Sequence, residues 1–295
     1  MKILFSITHY KLLDVFKNCL SSLKLSAYYA KKNYGDLNYG ILVISNSIIT
    51  DQDIIQDKEI KFIQNSTNFG FTKSCNQAFN YSLKNSYDET VIINQDTIFQ
   101  EDTIFTMLQA RKIIKNKKSI LSPVQVDENF KYDFKSKKNL TRMLNKNIIE
   151  VDFVNAACWF INNNIIKELG AMNEIFNHFG SDDEYVYRLK KINGKMYVIQ
   201  DSKIIHLRSF YKKNFDKKYS DMQIVSSIEA SAYLKVITEK NLLNAFILLI
   251  FKPLVLFVTR KISLKNFSEI IKYKNIKILF KLFKNNDSLF IKINE

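Results

Sequence analysis

The stretch Thr90-Val91-Ile92-Ile93-Asn94-Gln95-Asp96 is a short β-branched run that stops at three polar residues. A run this short and apolar on both faces reads as a strand inside a sheet, not as one half-exposed to solvent. Before it, Phe71 to Leu83 carries Phe71, Cys75, Ala78 and Phe79 at helical spacing, and after it Thr103 to Ile114 is a second helical pattern. The alternation continues outward. Ile3-Leu4-Phe5-Ser6-Ile7 reads as a strand, followed by Leu12, Leu13, Val15, Phe16, Cys19, Leu20 and Leu23 at helical spacing. Ile41-Leu42-Val43-Ile44, Ile60 to Ile63 and Ser119-Ile120-Leu121 read as further strands. Strands alternating with helices predict an α/β architecture, a mostly parallel, Rossmann-like sheet flanked by helices.

Ligands of such sheets bind beyond the carboxyl ends of the strands. The residues there are polar: Thr8-His9-Tyr10 after the first strand, Ser45-Asn46-Ser47 after the second, Asn94-Gln95-Asp96 after the fourth. Asn68-Phe69-Gly70-Phe71 opens the helix that carries Asn76. Asp96 suits a divalent cation bridging to a diphosphate, and suits equally a turn or the cap of the next helix. The polar, basic segment from Lys131 to Lys146, with Lys135, Lys137, Lys138 and Arg142, reads as a surface excursion, with the sheet resuming at Val151-Asp152-Phe153-Val154, followed by Ala156 to Ile161.

A second acidic element is Ser181-Asp182-Asp183-Glu184-Tyr185-Val186-Tyr187-Arg188, closed by Asn193-Gly194. Three acids in a helix's first turn satisfy the helix dipole, a purely structural role. They also follow Phe176-Asn177-His178-Phe179-Gly180, an aromatic loop suited to a cleft wall. His206 ends the apolar strand Ile204-Ile205.

Composition narrows the classes. The chain has 295 residues, 46% of them apolar, with 44 Lys+Arg against 29 Asp+Glu and a net charge of +15. That excludes a disordered chain, and the length accommodates one large domain with an appendage. Six Gly and two Pro exclude collagen-like and linker compositions. Cys19, Cys75 and Cys158 are odd in number and widely spaced, which argues against a disulfide framework or zinc finger and for a reducing cytosol. The apolar run Ile3–Ile7 is too short for a signal peptide, so export by that route is not expected.

Together, the order Thr8-His9-Tyr10, Ser45-Asn46-Ser47, Asn68-Phe69-Gly70-Phe71 with Asn76, Asn94-Gln95-Asp96, Gly170 with Asn173-Glu174, Asp182 with Arg188 and Gly194, then His206 resembles the inverting family 2 glycosyltransferases. It is most similar to the rhamnosyltransferase and galactofuranosyltransferase-like branch of bacterial surface-polysaccharide synthesis, over roughly residues 2 to 208. The resemblance implies a GT-A fold. It implies a nucleotide-sugar donor, UDP- or dTDP-linked, held by Thr8, His9, Asn46, Asn68, Gly70, Asn76 and Asn94. Asn94-Gln95-Asp96 stands where the family has Asp-x-Asp, so Asp96 would ligate Mg2+ or Mn2+, joined by His206. Asp182 matches the catalytic base, with Asp183 the near alternative. Glu184 matches a second acid of that motif. Trp159, the only Trp, is positioned by the same resemblance near the acceptor and would stack on a sugar; the commoner role for such a residue is a core aromatic. The acceptor would be a glycan or a lipid-linked glycan. Two departures stand out: Ser45-Asn46-Ser47 lacks the family's base-pairing Asp, and Lys11 replaces the usual Asn.

Residues 239–295 hold 11 Lys+Arg and 4 Asp+Glu, a net of +7 beside an apolar stretch from Leu242 to Val258. The division expected is a catalytic domain over 1–238 and a basic, apolar helical tail over 239–295. The Lys252-Pro253 break in 17 residues argues against a membrane-spanning helix and for one lying on an anionic leaflet, or for an appendage packed on protein. The Lys-rich segments lack the interleaved stacking aromatics of a nucleic-acid binder, so none is expected as a partner. The competing enzyme class, a sugar-phosphate nucleotidyltransferase, would place a Gly-rich loop after the first strand, where Thr8-His9-Tyr10-Lys11 stands. A non-catalytic basic membrane-binding module would leave the carboxylates unexplained.

Overall fold

The computed structural model describes residues 1–49, 51, 54, 56–132, 140–176, 179–207, 217–259, 261–284 and 291–293. Strand β1 (Lys2–His9) leads into α1 (Leu13–Tyr34), followed by β2 (Asn38–Ser45), β3 (Ile60–Gln64), α2 (Gly70–Lys84) and β4 (Glu89–Asn94). Then come β5 (Thr97–Phe99), α3 (Thr103–Ile113), β6 (Ser119–Val126), β7 (Leu140–Met143), β8 (Ile148–Val151), β9 (Cys158–Asn162), α4 (Asn163–Leu169), α5 (Ser181–Lys191) and β10 (Lys195–His206). The sheet order is β3-β2-β1-β4-β9-β6-β10-β8-β7, with β5 pairing β10 off this path. β1 to β4 are mutually parallel, as are β6 and β10, while β9 runs antiparallel between β4 and β6.

The period-two alternation of each strand assigns its faces. Ile3, Phe5, Ile7, Val91 and Ile93 pack on one side with Phe16, Cys19 and Leu23 of α1 and Ile104 and Met107 of α3. Ile92, Trp159 and Ile161 pack on the other with Phe79 of α2 and Tyr185 and Leu189 of α5. At the amino ends of the strands, the buried Glu89 carboxylate lies 2.5 Å from Arg111 Nε. Arg111 also donates to Ser119 Oγ and to the Phe160 carbonyl, so one ion pair ties β4, β6 and β9 together on the side away from the ligand edge.

The segment between 126 and 158 departs from expectation. Part of the expected surface excursion forms an edge hairpin, β7 antiparallel to β8, turned by Asn145, whose side chain accepts from Asn147 N and Ile148 N. Lys135, Lys137 and Lys138 lie outside the described residues. The sheet does not resume at Val151–Val154: β8 ends at Val151 and the next strand begins at Cys158.

A helical layer follows: α6 (Lys217–Glu239), α7 (Leu242–Phe246), a π turn (Ile247–Phe251), α8 (Lys252–Val258), α9 (Leu264–Ile270) and α10 (Tyr273–Lys284). Its core combines Ile228, Tyr233 and Val236 of α6 with Ala245, Leu249, Ile262, Ile270, Leu279 and Phe176. Packing therefore starts this layer with α6, upstream of residue 239. The Lys252-Pro253 pair does not break the helix. Lys252 N donates to Ile247 O in the π register, and Pro253, lacking an N–H, sits in the first turn of α8. Beyond α10, Ile291 returns to the sheet domain: it accepts from Ala171 N at 2.7 Å and donates to Leu169 O at 3.0 Å.

Candidate active site

The carboxyl ends of β1, β2, β4 and β10 converge on one edge, and side-chain amides hold the loops there. Gln95 pairs with the Tyr10 backbone in both directions, accepting from Tyr10 N at 2.7 Å and donating to Tyr10 O at 2.8 Å. Lys11 N donates to Ser47 Oγ at 2.7 Å, and Lys11 and Leu12 adopt φ of 52° and 49°. These are left-handed conformations that Asn tolerates more readily than Lys or Leu.

His9 is buried, its Nδ1 2.7 Å from Ser45 Oγ and its ring 4.7 Å from that of Phe16. The Ser45 hydroxyl donates to Ser47 O, so the imidazole carries its proton on Nδ1. Nε2 is left as a buried acceptor without a donor. Burial pushes the imidazole down to about 4, against an opposing contact with the Lys11 backbone, so the ring is neutral at physiological pH.

Asn46 is engaged in a side-chain network. Its Nδ2 donates to Ser74 Oγ at 3.0 Å, and its Oδ1 accepts from Asn65 Nδ2 at 2.9 Å and Phe69 N at 3.1 Å. Asn65 exchanges a second pair of hydrogen bonds with Gln77. This network seats the Asn68–Gly70 loop, in which Asn68 Oδ1 accepts from Gly70 N and Gly70 takes φ 76°. Asn76 is likewise committed: it donates to Met172 O and Glu174 Oε1 and accepts from Met172 N at 2.7 Å, fastening the 172–174 loop to α2. Asn46 and Asn76 therefore both fasten loops at this edge. Thr8, Asn68 and Asn94 remain at the edge, with Asn94 N donating to Ala157 O at 2.9 Å.

Asp96 and His206 meet. β5 pairs antiparallel with β10 so that Thr97 faces His206, and Leu207 N donates to Asp96 O. This register leaves Asp96 Oδ2 3.3 Å from His206 Nε2, both residues 7% exposed. Two ligands of one octahedral cation with bonds of about 2.1 Å lie about 3 Å apart, so this carboxylate and imidazole fit Mg2+ or Mn2+. Among the described residues no cluster of three or more His, Cys, Asp or Glu could hold a metal ion.

One strand over, Gly180 starts α5 at φ 89°, and a Cβ there would stand 2.8 Å from the Phe176 ring. The resulting turn aims Asp182 at the segment that precedes β9. Its carboxylate accepts from Ala156 N at 3.4 Å and Asp183 N at 3.1 Å. Burial raises the Asp182 carboxyl above the ordinary carboxylate range, with the Asp183 and Ala156 amides opposing. Asp183 faces solvent. Asn177 and His178 of the expected cleft-wall loop lie outside the described residues.

Two acceptor assignments are corrected. Trp159 is fully buried in β9 and donates its indole N–H to Val154 O at 3.1 Å, so neither ring face is open to a sugar. Glu184 is 3% exposed, and both its oxygens are taken by Arg188, at 2.8 and 2.9 Å. Arg188 also donates to Leu169 O and Ala171 O, making the pair a buttress for the 169–171 turn. Two site residues were not foreseen. Gln125 ends β6 and donates to Asn155 O, its buried Oε1 lacking a donor; its place at a strand's carboxyl end was the available signal. Gln95 was quoted only as the middle of its motif, yet it sets the Tyr10 loop.

No protein-family model and no curated protein matches this chain. Solved structures do. It is similar to a crystal structure of GalNAc-T7 with UDP, GalNAc and Mn2+, at TM-score 0.55 and 12% identity over 94% of this chain. It is similar also to S. aureus TarS at TM-score 0.57 and 12% identity over 94% of the chain, and to TarS 1-349 with UDP at 0.56 and 13%, also over 94%. The fold is GT-A. The chain spans 58% of the GalNAc-T7 chain and 50% of the TarS chain, and 83% of TarS 1-349.

Proposed function

We propose that the protein is a metal-dependent inverting glycosyltransferase that moves a sugar from a UDP- or dTDP-linked donor to a glycan or lipid-linked acceptor in bacterial surface-polysaccharide synthesis. The observation that carries this reading is the division of labour along one sheet edge. The Asp96–His206 pair lies beside β5 and β10, and Asp182, held by Ala156 N, lies beside the β4–β9 pairing, where Asn94 N meets Ala157 O. The UDP and Mn2+ present with GalNAc-T7, and the UDP in complex with TarS 1-349, support the donor and metal classes.

Bound between Asp96, His206 and the donor diphosphate, Mg2+ or Mn2+ would neutralise the charge that develops on the leaving group. Asp182 takes the proton of the acceptor hydroxyl, a job that suits a carboxylate whose affinity for protons is raised. Asp183, exposed on the outer side of the same turn, is the weaker candidate. Gln95 and Asn46 hold the two loops between which the nucleotide lies. The order of motifs supports a rhamnosyl- or galactofuranosyl-type donor. A lipid-linked acceptor would put the enzyme at the cytoplasmic face of a membrane; among the described residues no helix is long and apolar enough to cross one.

The test is a donor panel screened by thermal stabilisation with Mg2+ or Mn2+, followed by transfer assays and anomeric NMR of the product. Stabilisation by UDP- or dTDP-sugars but not free sugars, and a product of inverted anomeric configuration, are expected. Retention of configuration, or formation of nucleotide-sugar from sugar phosphate and nucleoside triphosphate, would overturn the reading.

A further inference from the structure

The run α7, π turn and α8 is apolar except for Asn244 and Lys252, yet only one side of it is covered. Ala245, Leu249 and Pro253 are buried against the helical layer. On the opposite side Leu243, Ile247, Phe251, Leu254, Val255 and Val258 are 42–71% exposed. Three- and four-residue steps keep these six on one stripe, about 20 Å long at the helical rise. An apolar stripe of this kind marks a contact surface on a protein in water.

Charge selects the occupant. From Lys240 to Ser268 the sequence contains no Asp or Glu, while Lys240, Lys252, Lys261 and Lys265 are all exposed. A second copy of this chain packed stripe to stripe would set these cations against their own equivalents. An apolar partner without charge would leave them unanswered. An anionic bilayer answers both features, taking apolar side chains into the acyl boundary and Lys at the headgroups. We propose that this stripe docks the protein in the plane of an anionic lipid leaflet, with Leu243 to Val258 parallel to the surface. The π turn gives this a structural cause. By resetting the register ahead of Pro253 it keeps Ile247 and Phe251 on the same side as Leu254 and Val258. This inference rests on the helical layer alone, and vesicle binding is read without reference to sugar transfer.

The experiment is flotation of the full chain with vesicles of phosphatidylcholine mixed with phosphatidylglycerol, and with vesicles of phosphatidylcholine alone. Binding to the mixed vesicles that weakens with salt is expected, with little binding to the neutral ones. F251Q/V255Q, which changes only exposed side chains, should lower partitioning by about tenfold or more at unchanged Tm. K261E/K265E should weaken binding to the mixed vesicles and flatten its salt dependence. Wild-type protein that stays with the soluble fraction, or either variant binding as wild type does, overturns the proposal. So does sedimentation showing a dimer in solution that F251Q/V255Q dissociates while vesicles are not bound.

Discussion

His206 Nε2 and Asp96 Oδ2 stand 3.3 Å apart because β5 turns back on β10, setting Thr97 opposite His206 in the ladder. This pairing of β5 with β10 over three residue pairs is what brings the two side chains together. Asp96→Asn should reduce transfer by roughly 100-fold or more and abolish the response to Mn2+, since an amide cannot supply the anionic ligand. His206→Gln should raise the metal concentration needed for half-maximal rate with a smaller loss at saturation. Metal titration of the transfer rate checks both, and wild-type metal dependence in Asp96→Asn would sink the pair as a metal site.

Asp182 and Asp183 are separated by burial. Asp182→Asn should lower kcat by about 10²–10⁴-fold, while Asp183→Asn keeps most of the activity. Asp182 is half-buried, and an acid whose folded pKa is raised costs stability at neutral pH and regains it as pH falls through that raised value. Asp182→Asn should therefore be more heat-stable than wild type at neutral pH, a gain on the order of 1 kcal/mol. The acid limb of the wild-type rate profile should lie above the ordinary carboxylate range. Thermal melts and a pH–rate series measure the two effects independently.

Glu184 and Arg188 test whether the acidic cluster is one site or two functions. Glu184→Gln takes from the buried Arg188 guanidinium the carboxylate that holds it at 2.8 and 2.9 Å, which should cost about 3–5 kcal/mol. Adding Arg188→Met should recover part of that loss. Denaturant unfolding of the single and double variants decides it. A Glu184→Gln protein of native stability with impaired acceptor KM would restore the acceptor role.

The parallel half of the sheet was legible because each of β1, β2 and β4 is an apolar run that stops at a polar triplet, and helices of matching period lie between them. The run Ala156 to Ile161 marked most of β9, but not its antiparallel entry, which is set by Asn94 N meeting Ala157 O, a pairing no local pattern announces. Side-chain identity also marked the right places better than the right roles. Asn46 and Asn76 sit where donor contacts were expected, yet an amide at a strand end serves a loop backbone as well as it serves a ligand. The i,i+4 spacing of Glu184 and Arg188 held the clue to their ion pair. For Trp159 only tertiary packing could decide, since a strand position gives its face no label until the neighbouring sheet order is known.

The neutral His9 predicts a pH dependence of stability with a definite sign. Its folded pKa, about 4, lies below the ordinary histidine value of 6.5 that holds in the unfolded chain, so between these values the unfolded chain binds the extra proton. Stability contributed by His9 is complete above pH 6.5 and lost as pH falls towards 4, a loss on the order of 2 kcal/mol. Other buried groups, Glu89 and Glu184 among them, have raised values and push in the opposite direction over their own ranges. The His9 effect is therefore isolated as a difference. Urea unfolding of wild type and His9→Gln at pH 7.5 and pH 5 should show wild type losing more stability on acidification than the variant. Equal losses would mean that His9 is charged in the folded state, and with it that Nε2 is not the bare acceptor described above.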